Sequence, residues 1–482
     1  MKWFLNNLVL VHVLAIFLLY SFLGGGTRGE WLKLWAPWLT LATLQALMLF
    51  PQQKKSENLF QARLRAWTGF FRDPLLWLTL GLALLLGVQA LNGPRQLVYL
   101  KETLSWIYSA PPVSWLPGCV NPSEAACVLW WFAPVLAAVL AAKHGLLKRS
   151  KRLLLELMCW SAGVLSLLGI VQYINGSSFL HGSLKLPSHF FASFGYPNFA
   201  AAYFVLATII CIGIAIWYRD NDRDERAYQR NTILIPLLSN AIGASLSLSR
   251  AGILFLALTI LILGGYFLLR SWKRLGRGSR YKVYAIVIAL ILILVSLCGS
   301  AHRNPTIEEI RTTDWQSFFS QRMTGNYQVQ CALDMWQDYR FFGCGGWGYP
   351  HLAYQYLPQA EWKRLRATGQ ANVHNDAVQF LCEHGIVGLG LMLAILAGLL
   401  IPMTRAWWRS ANQTDTTAIR AIPWAFRFNA VSTAMLWATT IILIHSTFDI
   451  PFRSPAVLML YLAGLVLAQG YDIKRYVNES VH

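Results

Sequence analysis

Charge is scarce in this sequence. Only 13% of its 482 residues are charged, with 22 acidic side chains against 41 Lys and Arg, where a soluble domain carries about 25%. Together with a 56% share of hydrophobic residues, this excludes both a water-soluble globule and a disordered chain. Eight cysteines in so long a chain are too few for a disulfide scaffold. None has the spacing to histidine of a structural zinc site, so no metal and no cofactor is expected. The glycines Gly343, Gly345, Gly346 and Gly348 lack the Lys-Ser/Thr ending of a phosphate loop and the βαβ setting of a dinucleotide fold.

What remains is a succession of apolar runs, each long enough to cross about 30 Å of hydrocarbon. Twelve spans are read: 3–23, 32–50, 74–91, 127–143, 153–173, 198–218, 231–249, 251–269, 283–300, 385–403, 428–447 and 455–470. The expected fold is an all-α polytopic membrane protein, a single integral membrane domain over 1–482. A long outer loop, 301–372, with short helices of its own, separates spans nine and ten. The first span follows Met-Lys directly and has no small-residue cleavage site, so it reads as a retained helix rather than a signal peptide.

Basic residues orient the bundle. With the amino terminus placed in the cytoplasm, about two thirds of the 41 Lys and Arg fall on that side, and both termini come out cytoplasmic. Half of the remainder sits in the 301–372 loop, which the rule discounts because it is long. The net charge of +19 therefore reflects topology and attraction to anionic membrane lipids; no nucleic-acid partner is needed. The stretch PQQKKSENLFQARLRAWTGFFRD, 51–73, interleaves bases with Leu, Phe and Trp. It reads equally as an interfacial amphipathic helix or a charged linker. An oxidising compartment would allow Cys119–Cys127 or Cys331–Cys344 to close; Cys159, Cys211 and Cys382 read as free and buried.

Polar residues collect on the outer side. Asn198, in SFGYPNFAAAY, follows a proline at a span entrance and suits either a helix cap or an anion site at a helix amino terminus. Arg250, in SLSLSRAG, sits in the tightest outer connection, where it either snorkels or holds phosphate oxygens in its fork. In the long loop, Arg322–Asp338 reads as a surface helix followed by the glycine-rich turn. From His374 the chain runs polar for eleven residues before turning apolar. Asn375 is placed as the N-cap of that helix, and Asn375, Gln379 and Glu383 share one face at i, i+4, i+8. The segment 445–456, HSTFDIPFRSPA, holds His445, Asp449 and Arg453, either as a local ion pair that shapes the turn or in contact with a substrate.

GYPNFAAAY, LSLSRAG, Arg322 followed by YQVQCALDMWQDYRFFGCGGWGY, VHNDAVQFLCEHGIVG and HSTFDIPFRSPA occur in this order. Together they resemble the O-antigen ligase family, which includes O-antigen polymerase-like proteins and related oligosaccharyltransferases, over roughly residues 155–470. The resemblance implies a GT-C-like membrane glycosyltransferase in the bacterial inner membrane with a periplasmic active site. Its donor would be an undecaprenyl-diphosphate-linked glycan, and its acceptor a hydroxyl on lipid A-core, another glycan or a protein. It implies His374 as general base and Arg250 and Arg322 as stabilisers of the diphosphate leaving group, in an inverting reaction with neither metal nor covalent intermediate. Asn198, Asn375, Gln379, Glu383 and Arg453 are the substrate-binding candidates. The run EWKRLRATG, 361–369, matches no family motif, which leaves ligase, polymerase and protein transferase open. Outside this class stand a small-anion transporter, which would place ionisable groups along a pathway, and an assembly protein without a site.

Overall fold

The computed structural model describes residues 5–27, 29–94, 97–100, 105–108, 111–176, 179–180, 184–185, 190–220, 231–272, 327–358, 372–412 and 428–471. The ninth expected span, Arg322 and the EWKRLRATG run lie outside them. In hydrocarbon every backbone N–H and C=O must be satisfied within the segment, which leaves the helix as the economical solution for each apolar run. Six helices among the described residues are long and apolar enough to cross a membrane: Pro74–Leu91, Pro122–Gly145, Lys148–Ile174, Pro197–Asp220, Arg250–Arg270 and Asp376–Ala411. Four shorter apolar helices accompany them, Leu8–Phe22, Leu234–Leu246, Ala430–Ser446 and Pro455–Gly470. The protein is thus a multi-pass helical membrane protein.

The all-α expectation holds, with one minor addition. Two short antiparallel hairpins are present: β1 (Leu97–Leu100) pairs with β2 (Ser105–Tyr108), and β3 (Phe179–Leu180) with β4 (Leu184–Lys185).

The chain divides into two compact units. The first comprises Met1–Leu146, Asp314–Leu399 and Leu443–Met459. In it α1 (Leu8–Phe22), α2 (Gly29–Leu49), α3 (Leu59–Arg72) and α4 (Pro74–Leu91) all pack on α5 (Pro122–Gly145). Caps mark where these helices begin. Asn58 and Gln61 form a reciprocal capping box at α3, Asp73 accepts from Leu75 N at the head of α4, and Asn121 precedes Pro122 at the head of α5. Each cap satisfies amide donors that the helix itself cannot.

The second unit comprises Leu147–Thr313, Leu400–Ile442 and Leu460–His482. Here α7 (Pro197–Asp220) is central and packs against α6 (Lys148–Ile174), α8 (Leu234–Leu246) and α9 (Arg250–Thr259). A π turn at Ile260–Gly264 carries α9 on into α10 (Gly265–Trp272). Of the remaining helices, α11 (Tyr327–Asp338) and α12 (Gly348–Tyr356) belong to the first unit, and α13 (Asp376–Asn412), α14 (Ala430–Ser446) and α15 (Pro455–Leu467) have residues in both. Large apolar side chains such as Leu84, Leu261, Leu393 and Ile401 are left exposed, as expected for surfaces that meet lipid.

Neither cysteine pair left open by the sequence is closed: Cys119, Cys127, Cys331 and Cys344 are free thiols. Cys159, Cys211 and Cys382 are free and buried as expected. Cys344 lies instead beside Cys382, and its N–H donates to the Cys382 carbonyl at 3.0 Å.

Candidate functional site

The polar opening of α13 is built around a break in its backbone. Gly385 adopts φ 66° and ψ −172° inside the element, a region open essentially only to glycine. A strand of chain from the glycine-rich turn fills the gap. Cys344 N and Gly345 N donate to the carbonyls of Cys382 and Glu383, while Ile386 N and Val387 N donate to those of Arg340 and Phe341. The approach leaves no space for a side chain. A Cβ on Gly385 would lie 2.2 Å from the Phe341 oxygen, and one on Gly343 would lie 2.2 Å from the Glu383 carbonyl carbon. The glycine run that matched no nucleotide motif therefore mends a broken helix.

Ahead of the break, the residues expected on one face of the helix do share it, but they are turned inward. Gln379 and Glu383 are buried. Gln379 Nε2 donates to Glu383 Oε1 at 3.1 Å and to Asn372 Oδ1 at 3.3 Å, and its Oε1 accepts from Val373 N at 3.1 Å. Asn375 caps the helix as expected, accepting from Val378 N at 3.0 Å, and also donates to the Thr447 carbonyl at 2.9 Å. Between these fixed points stands His374 with φ 54°, a left-handed conformation that costs a non-glycine residue about 1–3 kcal/mol. The bonds of Asn372, Val373 and Asn375 hold it there.

His374 is part-exposed, and its Nδ1 lies 3.4 Å from Asp449 Oδ1. Asp449 is buried; its Oδ1 also accepts from Ile450 N at 2.8 Å, and its Oδ2 lies 3.8 Å from His445 Nε2. Burial pushes the Asp449 carboxyl up. Hydrogen bonds from His374 and His445, together with their charge, outweigh that and hold it well below the usual carboxylate range. A buried carboxylate facing Nδ1 favours the proton on that nitrogen and leaves the Nε2 lone pair for chemistry.

Two further links tie the 445–453 segment to α13, and a third reaches Trp347, just ahead of α12. Asp376 Oδ2 accepts from Phe452 N at 3.0 Å. Arg453 forms an ion pair with Glu383, and its guanidinium stacks over Trp347 at 4.5 Å from the ring centre. The local pair expected within 445–456 is present between His445 and Asp449, but Arg453 takes no part in it. Arg453 reaches 70 positions back in the chain, and it is His374 that Asp449 meets across the segment. Deeper in the unit, Gln89 donates to the carbonyls of Phe342 (2.6 Å) and Glu383 (3.1 Å) and meets His384 Nδ1 through Oε1 at 2.9 Å.

In the second unit Asn198 and the connection ahead of Arg250 come together. The Ser249 hydroxyl donates to Asn198 Oδ1 and accepts from Gly252 N at 3.2 Å, so Ser249 caps α9. Asn198 Nδ2 reaches the Tyr196 hydroxyl at 3.0 Å. The cap expected of Asn198 is displaced, because α7 begins one residue earlier at Pro197. Arg250 is the first residue of α9, where the helix dipole disfavours a cation and favours an anion. Among the described residues no group of three or more His, Cys, Asp or Glu side chains could hold a metal ion.

Sequence reading missed Gln89 and Trp347, and it named Asp449 without its link to His374. A lone glutamine inside an apolar span was the available signal for Gln89. Nothing local marks Trp347 in a chain with 21 tryptophans.

Helices long and apolar enough to cross a membrane, with a polar centre gathered at one end of α13, define a multi-pass membrane protein with a built polar site. Residues 235–393, roughly a third of the chain, match the family model described as O-Antigen ligase. That stretch holds Arg250, His374, the glycine-rich turn and the break at Gly385, so the resemblance carried by the motifs is shown there. No curated protein matches the chain.

Proposed function

We propose that this protein takes a glycan from an undecaprenyl-diphosphate carrier on the periplasmic side of the inner membrane and passes it to an acceptor hydroxyl, with lipid A-core as the acceptor. The observation that carries the reading is the imidazole–carboxylate pair of His374 and Asp449, raised on a strained backbone at the open end of α13. His374 Nε2 takes the acceptor's proton as the oxygen attacks the anomeric carbon, and Asp449 orients the ring and stabilises the imidazolium that forms. Attack in line with the departing diphosphate inverts the anomeric centre in one step.

Charge accumulates on the leaving diphosphate as the glycosidic bond breaks. Arg250, at the head of α9, takes part of it, and Arg322 is assigned the rest. Asn198 fixes the Ser249 cap beside Arg250. Asn375, Gln379 and Glu383 serve mainly to hold the His374 backbone. Twelve spans with both termini in the cytoplasm and a GT-C-like arrangement complete the proposal.

The test uses purified protein in proteoliposomes with undecaprenyl-diphosphate glycan and a choice of acceptors: lipid A-core, a second lipid-linked repeat and a Ser/Thr peptide. Products are identified by mass. Loss of general-base catalysis is worth about 10²–10⁴ in rate, so His374→Ala should transfer at least about a hundredfold more slowly while inserting normally. Wild-type rates from that variant would remove the base assignment. Product on the second repeat alone would make the enzyme a polymerase, and product on the peptide alone a protein transferase.

A further inference from the structure

Helix α3, Leu59–Arg72, presents an apolar stripe to the outside. Phe60, Leu64, Trp67 and Phe71 are 71%, 54%, 39% and 53% exposed. At spacings of four, three and four residues they fall within an arc of about 60° on the helix. Ala62, Ala66 and Phe70, on another face, are buried. The stripe is therefore a second apolar face that the fold leaves uncovered, and its flanks are basic, with Arg63 on one side and Arg72 on the other.

Both ends of this helix are fixed to helix ends. Trp67 Nε1 donates to the Met48 carbonyl at 2.9 Å and Arg63 Nε to the Leu49 carbonyl at 2.8 Å, which pins α3 across the end of α2. Asp73 alone separates α3 from α4, one of the long apolar helices. A helix joined in this way to the mouth of a membrane span lies at the level of the headgroups, where Trp is favoured. Charge supplies the second argument. The only acids of 51–73 are Glu57 and Asp73, and both are already engaged, Glu57 by Arg65 and Asp73 by Lys143 and His144. Lys55, Arg63 and Arg72 are left as a basic surface with no ion pair to an acid of the segment.

We infer that α3 is an in-plane anchor whose Phe60, Leu64, Trp67 and Phe71 stripe enters the acyl region of the cytoplasmic leaflet while Arg63 and Arg72 bind the phosphates of anionic phospholipids. The combination of apolar insertion with electrostatic attraction is what holds an amphipathic helix in an interface. This rests on the membrane reading and the orientation, and is independent of the glycan chemistry.

The test uses the full chain in nanodiscs of phosphatidylcholine with or without phosphatidylglycerol. Leu64 is replaced by the photoreactive p-benzoylphenylalanine, and adducts are identified by mass after illumination. Covalent adducts on phospholipid acyl chains are expected. Adducts on a second copy of the chain, or none on lipid, overturn the inference. In a second arm, native mass spectrometry counts phosphatidylglycerol retained by wild type and by the double variant Arg63→Gln, Arg72→Gln. A roughly tenfold or greater loss of affinity is expected, since each base near an anionic surface contributes a comparable electrostatic step. Unchanged retention overturns the headgroup assignment. Neither arm reads glycan transfer, so a failed catalytic proposal leaves both outcomes interpretable.

Discussion

The ion pair of Glu383 with Arg453 allows a sharp test of how this centre is held. The Glu383 side chain is 1% exposed and that of Arg453 10%. Arg453→Met keeps much of the side-chain stem but leaves a buried carboxylate with the hydrogen bond from Gln379 and no cation. Breaking a buried pair from one side costs about 3–5 kcal/mol, or roughly two to three and a half powers of ten in the folded-to-unfolded ratio. Replacing both partners removes the unpaired charge, so Glu383→Met combined with Arg453→Met should recover more than half of the loss. Unfolding of a membrane protein is often irreversible, so the assay is the inactivation half-life of detergent-purified protein at fixed temperature, together with its melting midpoint. Transfer activity then separates two roles. If Arg453 only positions α13, activity returns with stability in the double variant; if it touches the glycan donor or acceptor, activity stays lost. A single Arg453→Met variant as stable as wild type would refute the reasoning, because the carboxylate would have to be solvated after all.

Gly385→Ala must place a Cβ 2.2 Å from the Phe341 oxygen at φ 66°; failure to accumulate folded protein in membranes is expected, and a normal yield on a size-exclusion column would contradict the break. Gln89→Leu strands the Phe342 carbonyl and His384, each an unmet bond of about 1–3 kcal/mol, while the Glu383 carbonyl keeps its bond from Gly345 N, so the melting midpoint should drop by several degrees. Asp449→Asn should slow transfer, since the amide no longer orients the His374 ring as the carboxylate does; a wild-type rate would contradict this. The Asp449 carboxyl is held below its unfolded value of about 3.9. Its stabilisation is therefore full above that pH and is lost as pH falls further, toward the depressed folded value. The stability gap between wild type and Asp449→Asn should be open at pH 5 and close in stronger acid; a gap that widens on acidification would contradict this sign.

Much of the fold could be read from apolar runs alone. The span expected at 74–91 is α4 to the residue, because Asp73 and Pro74 signal its start and Asn92 follows its end. The boundary set at residue 385 by counting helical rise falls on the backbone break itself, since one change from polar to apolar environment underlies both. What could not be read was which groups meet. Asn198 sits one residue inside its helix, so its oxygen turns to Ser249. Arg453 passes over the nearby Asp449 because Glu383 is brought beside it by the helix carrying His374. Pairings between segments 70 or 295 positions apart, such as Arg453–Glu383 and Gln89–His384, leave no local trace in composition or period.

The mended break in α13 also constrains how a substrate could gain entry. Four main-chain bonds weld residues 340–345 to 382–387, so this stretch cannot lift away without unzipping the part of α13 that follows His374. Any gating movement must hinge elsewhere, and a crosslink locking 344 to 382 should leave turnover intact.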